Sequence, residues 1–316
     1  MPEITYGRWS PTEVMERVLD GTWVAATLAE AGYSAGGDTG AGRLSTVEKL
    51  SFSNDSISSL ATGLSAATSG GAGFESDSFG YVAGGNTGSR VTTTEKFAFS
   101  NDARSTLGAG LSVARDTAAG FNSSTAGYVA GGNDAVSPNV TTVDKFAFSN
   151  DARSTLGTGL STATRSLDGF ESSIAGYAAG GYTTNRVATV DKFAFSNDAR
   201  STLGTGLSVA RNAGAGFNSA TYGYLAGGNT GTSRVTTVDK FAFSNDARST
   251  LATGLTTAVE SSCGFESDSF GYVLGGNPDT GIRIDDGDKF DLSNDSRTAL
   301  TNILSTGNSA STGFNT

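Results

Sequence analysis

The chain has 316 residues, including 44 glycines, 4 prolines and one cysteine; 16% of its residues are charged and its formal net charge is −10. That balance argues against a nucleic-acid binder, which needs a basic stripe to displace counterions, and one cysteine excludes both an intrachain disulfide and a cysteine-cluster metal site. Histidine is missing altogether. Imidazole acid–base chemistry and the usual copper or zinc centres are therefore removed, and no catalytic set, resident metal or cofactor is expected.

Residues 1–30 read as an arm. Ser10-Pro11-Thr12-Glu13 is a capping box with proline at the first helical position; Val14, Met15, Val18 and Leu19 then share one face, and Asp20-Gly21 stops the helix. About ten helical residues do not persist alone in water. The helix needs a surface, either the rest of its own chain or another structural subunit, with Trp9 and Trp23 as aromatic anchors. Glu3 and Arg8 interrupt the N-terminus and no run of 18 apolar residues follows. The expectation is a soluble cytoplasmic product with no signal peptide and no membrane insertion.

From residue 31 to 316 one segment recurs six times. Its anchor is a Gly-Tyr pair followed two residues later by Gly-Gly, with tyrosines at Tyr33, Tyr81, Tyr128, Tyr177, Tyr224 and Tyr272, spaced by 48, 47, 49, 47 and 48 residues. A period near 50 with strand-like content marks a propeller blade. In the third unit, Gly120 to Ser124 reads as a first strand and Gly127 to Gly132 as a second. A loop from Asn133 to Asn139 leads to a β-branched and aromatic third strand, Val140 to Phe148. Ser149-Asn150-Asp151-Ala152 makes the turn to a glycine-weakened fourth strand, Ser154 to Leu160. The expected fold is all-β: a six-bladed propeller of four-stranded antiparallel blades behind a short helical arm.

The unit resembles the kelch repeat. The resemblance rests on the Gly-Gly doublet closing the second strand, the aromatics late in the third (Phe146, Phe148) and an arginine shortly before the first (Arg115, Arg165, Arg211). Leucines (Leu107, Leu156, Leu203, Leu251) stand near the place of the usual fourth-strand tryptophan. The near-identical KFAFSNDARSTL units resemble kelch-like arrays associated with bacteriophage particles and their hosts. That resemblance implies a virion component, such as a tail or baseplate protein.

The Gly-Phe strand occurs at Gly73, Gly120, Gly169, Gly216, Gly264 and finally Gly313, whereas the first Gly-Tyr strand has none before it. Gly313-Phe314-Asn315-Thr316 is therefore expected to complete the first blade, a closure that removes free sheet edges. The rival for that slot is the local segment Trp23 to Leu28.

Three candidate sites remain. Gly32-Tyr33-Ser34-Ala35-Gly36 matches a nucleophile elbow, but Ser34 holds the place of Val82, Val129, Ala178, Leu225 and Val273 on a blade strand, and no histidine exists to activate it. Asp279, Asp285, Asp286 and Asp288 lack the spacing of a calcium loop, so no metal is expected there. The loop after Gly-Gly carries Arg43, Arg90, Arg186, Arg234 and Arg283, on the same face as Arg115, Arg165 and Arg211. Such a ring could bind carboxylates or acidic sugars bidentately, or each arginine could staple its loop to its own blade's carboxylate, such as Glu95 or Asp144. Asp102-x-Arg104 and its repeats read as turn-stabilising pairs on the opposite face. The functional expectation is a non-enzymatic structural or interaction protein, with a homo-oligomer or other structural subunits as partners of residues 1–30. The alternative is a carbohydrate-binding module for an acidic cell-surface glycan.

Overall fold

The computed structural model describes residues 30–316; the expected helical arm, with Trp9, Val14, Met15, Val18, Leu19 and Trp23, lies outside the described residues. Six four-stranded antiparallel sheets follow one another around an axis. Blade 2 is Ala72–Ser76, Phe79–Ala83, Thr94–Ala98 and Ala103–Thr106; blade 3 is Ala119–Asn122, Ala126–Ala130, Val143–Ala147 and Arg153–Thr155. Blade 4 comprises Asp168–Glu171, Ala175–Ala179, Val190–Ala194 and Arg200–Thr202, and blade 5 comprises Ala215–Asn218, Tyr222–Ala226, Val238–Ala242 and Arg248–Thr250. Cys263–Glu266, Phe270–Leu274, Gly287–Asp291 and Arg297–Leu300 make blade 6.

Blade 1 is built from both ends of the described chain. Thr312–Asn315 pairs antiparallel with Ala31–Ala35, placing Tyr33 opposite Phe314, and Val47–Ser51 and Ile57–Ser59 complete the sheet. The ring closes through backbone hydrogen bonds, which leave Ala31–Ala35 paired on both sides.

The regular strands are shorter than the sequence suggests. In blade 3 the third strand starts at Val143, because the Val140 amide is spent closing the loop on Gly132. The fourth strand ends at Thr155; Leu160 turns in against the Gly131 bend and is buried there. Apolar burial outcompetes strand pairing at this outer edge.

Glycine sets how closely the blades approach. A Cβ on Gly120 would overlap the carbonyl oxygen of Gly73 in the neighbouring inner strand, and one on Gly127 would overlap the ring of Phe74. Each inner-strand phenylalanine therefore lies across the next blade's second strand. Phe74 stacks on Tyr81 of its own blade at 4.8 Å and on Phe146 of the next at 5.6 Å. The core is a series of such aromatic clusters, each shared between adjacent blades.

Candidate functional site

The repeated polar residues form two rings of inter-blade bonds. On one face, each second-strand tyrosine donates to an aspartate in the next blade's third-to-fourth turn, and the third-strand lysine reaches the same carboxylate. Tyr128 and Lys145 meet Asp198 at 2.9 and 2.8 Å, and the pattern repeats at Asp55, Asp102, Asp151, Asp246 and Asp295. All six aspartates sit at φ between 54° and 61°, a left-handed region that aspartate tolerates. Burial pushes all six tyrosine hydroxyls up, so they stay donors.

The Asp-x-Arg pairs expected from sequence are thus corrected. Asp102 bonds across the blade boundary to Lys49, while Arg104 turns to Glu95 on its own third strand. Sequence adjacency hid this, because alternate residues at the turn face different blades.

The second ring lies towards the arginine face. Each third-strand acid accepts from a serine or threonine in the connection leaving the previous blade: Ser65 to Glu95, Ser112 to Asp144, Ser161 to Asp191, Ser208 to Asp239, Thr256 to Asp288 and Ser305 to Glu48. Two of these acids also hold fully buried arginines, Arg115 on Asp144 at 3.0 Å and Arg211 on Asp239 at 2.8 Å. Burial by itself would raise both carboxyls, but the Thr155 hydroxyl and Arg115 at Asp144, and Arg211 at Asp239, hold them below the usual range. Arg165 is not their equivalent: Thr164 fills the position of Arg115 and Arg211, and Arg165 falls one residue later, where Asp116, Asn212 and Glu260 stand.

The loop arginines do not pair with Glu95 or Asp144. They reach forward to the next blade. Arg90 bonds Asp116 at 3.2 Å, Arg234 bonds Glu260 and Asp279, and Arg283 bonds Asp38 at 3.4 Å. Arg186 finds only the Asn212 amide oxygen at 3.2 Å, and Arg43 is exposed without an ion pair among the described residues. Where the next connection carries Asp116 or Glu260 the charge is matched; where it carries Ser69 or Asn212 it is not. The acidic patch is dispersed likewise: Asp279 goes to Arg234 and Asp288 to Thr256, while Asp286 accepts from the Asn302 amide. No metal-binding cluster occurs among the described residues.

One feature is not among the sequence candidates. The six inner strands bring Glu75, Asn122, Glu171, Asn218, Glu266 and Asn315 together around the axis, alternating acid and amide in a cavity of about 50 Å³. The amide oxygens of Asn122, Asn218 and Asn315 accept from the backbone of Glu75, Glu171 and Glu266. Asn218 also donates to the Glu266 carboxyl at 2.7 Å. Burial raises the carboxyls of Glu75 to about 7 and Glu266 to about 8, and that of Glu171 well above its ordinary range, with mutual repulsion adding at Glu171 and Glu266. The other mouth, about 160 Å³, holds Asp168, raised by burial to about 7 and accepting from the Gly214 amide at 2.8 Å. The signal was readable in the repeats, as GFES alternating with GFN.

No protein-family model matches the chain, and no curated protein matches it. A solved structure titled "Structure of YjhT" superposes with a TM-score of 0.69 at 14% identity, covering 85% of this chain and 97% of its own. At that identity the likeness concerns the fold alone. The protein is a six-bladed β-propeller.

Proposed function

We propose that the protein is a non-enzymatic interaction module, a kelch-type propeller disc attached through residues 1–30 to a larger protein assembly. A virus particle, as a tail or baseplate component, fits this reading. One observation carries it: the repeated tyrosines, lysines and acids are spent on bonds between blades, which makes a stiff platform and commits those groups to structure. Ser34 agrees, since it lies buried on the second strand of blade 1. The partners on this reading are other structural subunits or further copies of this chain.

Light scattering on the full chain beside one starting at Ala31 tests it. A full chain that assembles and a shortened one that stays monomeric support the arm as the attachment; two folded monomers remove self-assembly through it. A second reading is an acidic-glycan module on the arginine face. It is favoured where loop arginines are not neutralised by their neighbours, at Arg43 in blade 1 and at Arg186 in blade 4.

A further inference from the structure

On the arginine face four of the blades set three residues abreast, one from the incoming connection and two from the second-to-third loop. In blade 1 these are Ser309, Asp38 and Arg43; in blade 2, Ser69, Asn86 and Arg90; in blade 5, Asn212, Asn229 and Arg234. Blade 4 breaks the pattern with Arg165, Tyr182 and Arg186. Directly paired residues present their side chains on one side of a ladder, so the tyrosine ring stands between two guanidiniums. Their central carbons lie 4.7 and 5.3 Å from its centroid.

The charges around this trio are one-sided. Neither Arg165 nor Arg186 has a carboxylate within 4.0 Å among the described residues. Arg186 lies against Gly231 and bonds Asn212, and the loop beneath is tied by the Asn139 amide to the Thr183 carbonyl at 2.8 Å. All of these neighbours are neutral. Asp116 and Glu260 serve Arg90 and Arg234 in the corresponding places. Each guanidinium fork, half exposed beside the flat ring and lacking a counter-charge, matches the planar two-oxygen geometry of a carboxylate.

We propose that Arg165, Tyr182 and Arg186 form a binding site for the carboxylate of a sugar acid. The inference rests on reading the arginine face as a binding surface. The ligand's carboxylate takes the role that Asp116 and Glu260 play elsewhere, pairing with one guanidinium beside the ring while the other adds its positive charge to the site. The exposed Thr184 and Asn185 at the loop tip face the rest of the sugar.

Titration calorimetry of the full chain with D-glucuronate, D-glucose and inorganic phosphate tests this. Glucuronate is expected to bind in the millimolar range or tighter, more weakly as salt rises, with no heat from glucose. Arg165→Asp installs the residue blade 3 carries at this position, so its melting curve should match the parent while glucuronate binding falls roughly tenfold or more. Arg186→Gln should lose binding similarly. Unchanged glucuronate binding in a folded Arg165→Asp protein overturns the site. If Arg43→Ala then loses that binding, the face reading survives elsewhere on the ring. No glucuronate binding at about 10 mM, or phosphate binding without it, overturns the carboxylate assignment.

Discussion

The hydroxyl of Tyr272 donates to the Asp55 carboxylate at 3.0 Å, joining residues 217 positions apart and the sixth blade to the first. The same bond joins Tyr128 to Asp198 in the middle of the chain at 2.9 Å. In a closed ring no interface is terminal. Tyr272→Phe and Tyr128→Phe should therefore lower unfolding stability equally, by about 1–2 kcal/mol each, since lysine still holds each aspartate. Urea denaturation of both variants checks this, and a markedly milder effect at Tyr272 would show that the closing interface is weaker than the internal ones.

Deleting Ser311 to Thr316 should be far more damaging. It removes the inner strand of blade 1 and the buried ring of Phe314, which stacks on Tyr33 at 4.9 Å. Loss of such a ring alone costs about 3–5 kcal/mol, and the exposed edge of Ala31–Ala35 invites aggregation. Thermal melting of the shortened chain should show a large fall or no cooperative transition; an unchanged curve counts against the closure.

The axial glycines give a sharper test of packing. Gly120→Ala should prevent normal assembly of the ring, because its neighbour is the backbone of Gly73 and cannot move aside. Gly157→Ala meets nothing within 4 Å at an exposed turn and should be neutral or stabilising within about 1 kcal/mol. Comparing soluble yield and melting temperature separates the two.

The axial carboxyls make stability depend on pH in an unusual direction. Glu75, Glu171, Glu266 and Asp168 bind protons more tightly folded than unfolded. As pH rises above the ordinary carboxyl range the unfolded chain ionises first, so stability is full at the acid end. It is lost as pH passes through about 7 to 8. Melting temperature should fall between about pH 5 and about pH 8.5. Replacing the three glutamates by glutamine should flatten most of that slope, and Asp168→Asn the remainder. A slope unchanged in the triple variant would place its origin elsewhere.

Much of this architecture is legible in the sequence. The Gly-Tyr and Gly-Phe anchors recur because each blade must satisfy the same close contacts with its neighbours. The repeat therefore encodes blade number, and the offset of Gly313 encodes the closing strand. The functional face was only partly legible. The five loop arginines could be named, but the partners of Arg90, Arg186 and Arg234 lie 26 residues onward in Asp116, Asn212 and Glu260, a distance no local pattern reveals.

The sequence by itself determined the repeated unit, its strand order and the loops that carry charge, because those follow from backbone propensity and local packing. The tertiary structure alone decided which charges are free. Arg90 and Arg165 are both arginines on one face, yet one meets a carboxylate and the other a tyrosine that it shares with a second arginine. Glu75, Glu171 and Glu266 become unusual acids only when ring closure gathers them around an axis and removes part of their water. Electrostatic character depends on distance through space, and the fold sets that distance.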